Sequence, residues 1–335
     1  MLYGSIPYVN KPVSHIVFGT ATPKLFGAFR SVYENAPDFQ DRLNAAFALL
    51  DDMYAEGVNC FDCAAHYGEE PLGEWLEARG LHDKGVIFTK GAHHNRWRKR
   101  VTDYDILYDV HNSLAKPKTK HLDIYMLHRD DPDVPVDSIV DVLNRCYDEG
   151  KIGAFGGSNW TVERIAEANE YAAKHNLVPF TVASPNFGLA DQINDPWGGG
   201  CVTISGPSNK ANRKWYADHH VPVFAYSTMA RGFFSGLVKS EAPERACEVL
   251  DGPGMKGYAS PENFERLRRC EILAAEKGMT VPQIAMAWIF NQKNLDVYAL
   301  TSPVQRDMMK SNIDASEIIL TESECEWLDL ERDQL

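Results

Sequence analysis

The chain has no long apolar run, no excess of positive charge and no second pair of closely spaced metal ligands, and each absence removes a class of protein. No window approaches the roughly 20 apolar residues that a membrane helix needs. The first residues carry no basic-then-apolar leader pattern, so a cytoplasmic address is expected. With 34 basic against 47 acidic residues the formal charge is -13. Such a surface repels phosphate backbones and anionic membranes, so neither nucleic acid nor membrane is expected as a partner. Seven cysteines include one C-x-x-C, Cys60 and Cys63, with no other C-x-x-C or H-x-x-H to complete a zinc site. Residues three apart on a strand face opposite ways, so these two thiols read as structural, and no metal is expected. Histidine pairs at His93-His94 and His219-His220 are discounted because adjacent residues seldom converge on one ion.

What is present is an alternation. Strand-like runs at residues 15–21, 58–62, 86–90, 122–128, 151–159, 181–184, 222–226 and 296–300 are each followed by a helix-like stretch. The helices carry their own punctuation. Pro71 falls in a first turn with Gly80 just past the end, Thr102 opens another helix, and Thr321 begins a Thr-x-x-Glu box. Strict alternation means a parallel sheet, and eight units predict closure into a (β/α)8 TIM barrel, one domain over residues 1–335. The rival, a doubly wound open sheet, would show a Gly-x-Gly-x-x-Gly after its first strand, where Gly19 stands without partners. Connections after strands are long at residues 20–39, 91–101, 185–209 and 230–260, and those before strands are short. Long loops on one side build the face where barrel enzymes place their chemistry.

Three residues end neighbouring strands at that face: Asp62, Lys90 and His128. Tyr67 overhangs them from the loop after Asp62. Each alone has a plain structural reading as a turn, a solvated charge or a rim residue. Together they make chemical sense. A phenol with a pKa of about 10 is a weak acid at neutral pH, and an adjacent ammonium is expected to lower that value. A lysine taken out of water keeps its proton only if an anion faces it, which gives Asp62 a role. An imidazole can donate a hydrogen bond that orients a carbonyl oxygen. The set is suited to protonating a carbonyl while hydride arrives from elsewhere.

Residues 59–73, 87–90 and 124–128 resemble the signature stretches of the aldo-keto reductase superfamily, and the resemblance runs over residues 14–315. It implies a (β/α)8 barrel, carbonyl reduction with a nicotinamide cofactor and no metal. Tyr67 then becomes the general acid, Lys90 its modifier, Asp62 the partner of Lys90, and His128 the orienter. The resemblance also implies that Ser158-Asn159 hold the nicotinamide carboxamide, that Tyr226 stacks on the ring, and that Ser227, Met229, Arg231 and Gly232 lie along the pyrophosphate. Gly19 and Thr20 close over the nicotinamide side. Ser302, Arg306 and Asn312 fall at the adenosine end, where helix amides face phosphate. Two departures are visible. Ser184-Pro185-Asn186 stands where the family often has a glutamine, with Ser184 or Asn186 as substitute, and Met308 stands where a basic residue is usual. NADP(H) is expected over NAD(H). Trp97, Trp160 and Trp197, on mouth loops, are candidate substrate walls for a small carbonyl compound. A homo-oligomer is allowed. Two other functions are open: a cofactor-sensing regulatory subunit on the same barrel, and a glycoside hydrolase using carboxylates among Glu69, Glu70, Asp130 and Asp131.

Overall fold

A computed structural model describes all 335 residues. Ten strands form. A hairpin of two-residue strands, β1 (Tyr3–Gly4) and β2 (Val13–Ser14), pairs antiparallel, too short to leave a periodic signal in sequence. The others are β3 (Ile16–Gly19), β4 (Cys60–Asp62), β5 (Val86–Gly91), β6 (Leu122–Leu127), β7 (Ile152–Ser158), β8 (Val182–Ser184), β9 (Val223–Ala225) and β10 (Val297–Thr301). These eight close into a parallel barrel in the order β10-β3-β4-β5-β6-β7-β8-β9, the expected fold. Every residue of β3 to β10 is buried, as a parallel sheet covered by helices requires. No helix is long and apolar enough to cross a membrane.

By packing, the chain divides into a unit of residues 1–184 with 302–309 and a unit of residues 185–301 with 310–335. In the first, the strand registers decide which side chains share a face. Asp62 lies opposite Phe88, and Lys90 opposite Met126. Successive side chains of a strand alternate faces. Asp62, Phe88, Lys90 and Met126 therefore line one face, and His128, two residues past Met126, continues it. Gly156 pairs with Met126 and Ser158 with Ser184, which carries the same face on to Ser158 and Ser184.

Helix ends follow the sequence punctuation. The helix Glu69–Arg79 starts after Gly68 and stops at Gly80, both left-handed, and Thr102 caps Asp103–Ala115 through the Asp105 amide. Thr321 and Glu324 form the expected reciprocal capping box. Gly68 has φ +78, and a Cβ there would meet the Thr20 hydroxyl at 1.7 Å, so the loop carrying Tyr67 closes onto Thr20 only with glycine. Residues 20–39 are not wholly irregular: they hold two single turns, Pro23–Phe26 and Arg30–Tyr33. In the second unit, residues 230–260 fold into two short three-ten turns and the helix Gly252–Tyr258.

Candidate active site

Asp62, Lys90 and Tyr67 meet at the ends of β4 and β5. The Lys90 ammonium, 3% exposed as a residue, uses all three of its protons. It forms a close ion pair with Asp62 Oδ1, donates to the Tyr67 hydroxyl oxygen at 3.1 Å and reaches the Cys63 carbonyl at 3.4 Å. Its charge also sits over the Phe88 ring at 4.3 Å. Tyr67 in turn donates to Asp62 Oδ2 at 3.4 Å, a long bond that another acceptor can replace. The Asp62 backbone carbonyl is held from behind by the Thr20 amide at 2.9 Å and the Thr20 hydroxyl at 2.7 Å.

The electrostatics differ from the sequence expectation in one respect. Burial is the largest influence on the Tyr67 hydroxyl, and with the Asp62 carboxylate beside it the phenol pKa is pushed well above its ordinary value, not lowered. Sequence shows the lysine but not the depth of the phenol, and depth prevails. Burial likewise raises the Asp62 carboxyl, against the opposing pull of Lys90. Tyr67 therefore holds its proton firmly. Cys60 and Cys63 are free and buried, with both thiols pushed up by burial, so they behave as structural residues.

His128 follows β6, its amide bonded to the Gly91 carbonyl at 2.8 Å. Its ring stands edge-on to Tyr67, centroids 6.3 Å apart, and its Nδ1 is buried without a hydrogen-bond partner. Burial, followed by the Lys90 charge, holds the imidazole well below its usual pKa, so it is neutral. Beside it, Asn159 sits in the left-handed region at φ 60, its amide nitrogen 3.4 Å from the His128 carbonyl and 3.2 Å from Ser158 Oγ. Ser158 Oγ donates to the Ser184 carbonyl at 3.0 Å, and the buried Ser184 hydroxyl has no partner. Gly19 ends β3 opposite Asp62. A cleft of about 210 Å³ opens beside Tyr67, between Phe29, His66 and Lys116.

The adenosine-end residues of this unit are placed at its surface. Ser302 and Arg306 are exposed, and Arg306 forms a close ion pair with Glu56. In the second unit, the Asn186 amide is committed to structure. Its oxygen accepts from Thr203 Oγ1 at 2.9 Å, and its nitrogen donates to the Tyr258 hydroxyl at 2.9 Å. Of the two, Ser184 is the one with a hydroxyl to spare. Tyr226 follows β9 and is half-buried, as are Met229 and Asn312. Ser227, Ala230, Arg231 and Gly232 all have positive φ, between 48 and 97. Backbone strain concentrated in one loop is a mark of a ligand-shaped segment. Arg231 pairs with Asp251 and stacks over Trp197 at 4.5 Å.

One tryptophan corrects an expectation. Trp160 is 1% exposed and packs on Phe180 at 5.0 Å, over Gly157, where a Cβ would meet the indole at 2.3 Å. It is core, because the turn after β7 folds back inward. Trp97 is 75% exposed, its ring 4.1 Å from the Arg96 guanidinium. Two residues that sequence reasoning passed over do reach the site: His66, in the loop next to Tyr67, and His93, after β5. His66 could have been found from its place in Ala65-His66-Tyr67-Gly68. His93 had been set aside for its neighbour His94.

Residues 16–330 match the model of the Aldo/keto reductase family. The chain belongs to the aldo/keto reductase family. Its relatives include the aldo-keto reductase YhdN of Bacillus subtilis, 24% identical over 311 residues, covering 89% of this chain and 83% of that protein. The aryl-alcohol dehydrogenase [NADP(+)] of Phanerodontia chrysosporium is 32% identical over 155 residues, 41% of this chain and 40% of its own. Among solved structures, the glycerol dehydrogenase AKR11B4 of Gluconobacter oxydans superposes with TM-score 0.72 at 20% identity, covering 98% of this chain and 94% of its own, a likeness of fold. Membership in the aldo/keto reductases makes the chain an oxidoreductase of a family that generally reduces carbonyls with nicotinamide cofactors.

Proposed function

We propose that the chain reduces an aldehyde or ketone to an alcohol, with Tyr67 as proton donor, Lys90 and Asp62 fixing and polarising it, and His128 orienting the carbonyl. The observation that carries this reading is the shared hydroxyl of Tyr67, which takes a bond from the Lys90 ammonium at 3.1 Å and holds its own proton only in a long 3.4 Å bond to Asp62 that a carbonyl oxygen can replace. The nicotinamide, when bound, supplies the hydride that reaches the carbonyl carbon as the C=O π bond opens. The oxygen takes the Tyr67 proton as the long bond to Asp62 is given up. Lys90 stabilises the phenolate left behind, which regains a proton from water. A phenol whose pKa is raised stays protonated at neutral pH, the state in which it can donate.

The residues fit a nicotinamide. Ser184 has a buried hydroxyl without a partner, beside the Ser158-Asn159 pair proposed for the carboxamide. Tyr226 is proposed for the ring, and Ser227, Met229, Arg231 and Gly232 for the pyrophosphate, in keeping with the strain of their loop. Gly19 and Thr20 are proposed to flank the nicotinamide, and Ser302, Arg306 and Asn312 to take the adenosine end. NADP(H) is proposed over NAD(H), in line with the cofactor in the name of the Phanerodontia relative, with Arg306 leaving Glu56 to meet a 2′-phosphate.

Two measurements test this. A fluorescence titration with NADPH and NADH reads the cofactor site, and Tyr67→Phe reads the chemistry. The variant is expected to bind cofactor as the parent does and to lose about 10²- to 10⁴-fold in turnover. Turnover near the parent level would overturn the assignment.

A further inference from the structure

His66, His93 and His128 come from three different loops, after β4, β5 and β6, and turn their rings toward one another. The His66 and His128 rings stack at 5.4 Å with a 17° tilt. His93 stands edge-on to both, at 5.0 Å from His66 and 4.8 Å from His128. One ring nitrogen from each lies within 4.8 Å of the other two. The proposed reduction uses only His128, so the other two imidazoles need a separate explanation.

We propose that these three histidines form a site for a divalent first-row transition ion, of which Zn2+ is the type, at the mouth of the barrel. Three features support it. A tetrahedral Zn2+ with Zn–N bonds of about 2.0–2.1 Å sets its ligands about 3.3 Å apart, so closure of at most about 1.5 Å completes the set. Rotation of exposed loop side chains supplies that, since His66 is exposed and His93 half-buried. His93 Nδ1 lies 2.8 Å from the His94 carbonyl. That contact places the proton on Nδ1 and leaves Nε2 as a lone pair, the backbone support that metal-binding histidines commonly have. His128 has a buried ring nitrogen with no partner. Three imidazoles with no carboxylate or thiolate among them select Zn2+, Ni2+, Co2+ or Cu2+ over Mg2+ or Ca2+.

Surroundings back the ligand state and limit the affinity. Burial lowers His93 and His128 below the ordinary imidazole range, so these rings are neutral and ready to ligate. Lys90, Lys116, Arg129 and Arg100 face the cluster, and their charges oppose an incoming dication. A site of moderate strength follows, filled and emptied with the free ion concentration. Three protein ligands leave a fourth position for water or a substrate oxygen. An occupied site ties up His128, so on the proposed reductase reading it blocks carbonyl reduction.

The test is isothermal calorimetry of chelator-treated protein, without cofactor or substrate, titrated with Zn2+ and separately with Mg2+. Saturable binding of one Zn2+ per chain is expected, with none for Mg2+. His66→Gln and His93→Gln should each weaken it by more than roughly tenfold. His94→Gln, which keeps its backbone carbonyl, should not, and circular dichroism checks that each variant folds. Absence of saturable Zn2+ binding, or affinity unchanged in both His66→Gln and His93→Gln, overturns the proposal. Tyr67→Phe should bind Zn2+ like the parent, so failure of the reductase reading and failure of the metal site give different results.

Discussion

Two buried ion pairs, one in each unit, are nearly alike by location and opposite in character. Lys90–Asp62 has side chains 4% and 8% exposed, and Arg266–Asp329 has both at 3%. In both, burial raises the carboxyl, Asp329 to about 6. Arg266 spends its guanidinium on structure: Nε and Nη2 reach Asp329 Oδ1 at 3.2 and 3.1 Å, and Nη1 reaches Asn263 at 3.2 Å. That network fastens the helix Pro261–Lys277 to the end of the chain. Lys90 gives one of its three bonds to a phenol whose own proton is held by a long bond to Asp62. On the proposed reading, a buried pair serves chemistry only when a third, transferable group shares it. The rigid fork of arginine suits the first task and the compact ammonium the second.

The comparison can be broken by exchanging the consequences. The largest effect is expected for Lys90→Met, with kcat/KM for carbonyl reduction falling about 10²- to 10⁴-fold while the cofactor titration stays near the parent. Retained turnover would make Lys90–Asp62 another structural pair. Next is Arg266→Met. Removing Arg266 leaves the buried Asp329 with only the more distant Arg213 at 3.7 Å and should lower unfolding free energy by about 3 kcal/mol in urea titrations, with turnover per folded molecule unchanged. A loss of turnover without a loss of stability would contradict the division.

Proton linkage sharpens the contrast. The raised phenol of Tyr67 keeps reduction supplied with a proton, so kcat/KM should stay level as pH rises from neutral to about 9. A decline centred near pH 7 would mean the phenol is lowered after all. Asp329 holds its proton more tightly folded than unfolded. Its contribution to stability is present below about pH 4, the ordinary carboxyl range, and is lost as pH rises through about 6. Parent and Asp329→Asn followed by urea unfolding from pH 4 to 7 should therefore diverge in the variant's favour. The smallest effect is at the surface, where Trp97→Ala should shift stability by no more than about 0.5 kcal/mol and leave KM unchanged.

Much of this was legible beforehand for a physical reason. Period-two runs alternating with capped helices leave a parallel barrel as the consistent arrangement, and strand ends of a barrel share a mouth. Asp62, Lys90 and Tyr67 were therefore brought together on paper as they are in space. The hairpin β1–β2 was too short for a period, and the turns at 23–26 and 30–33 were hidden in a proline-marked stretch. Trp160 was assigned by its loop, although Gly157 lets it fold inward. The amide of Asn186 is occupied by Thr203 and Tyr258, which its position in the chain does not show.

By itself, then, the sequence determined the class of fold, the strand that bears each site residue and the chemical type of each group. Those follow from local periodicity and covalent identity, which every residue carries with it. Tertiary structure alone decided that Tyr67 keeps its proton, that Ser184 and not Asn186 has a group to spare, and that His66, His93 and His128 face one another. Desolvation, hydrogen-bond occupancy and convergence are properties of neighbours brought from distant positions along the chain, and no single segment contains them.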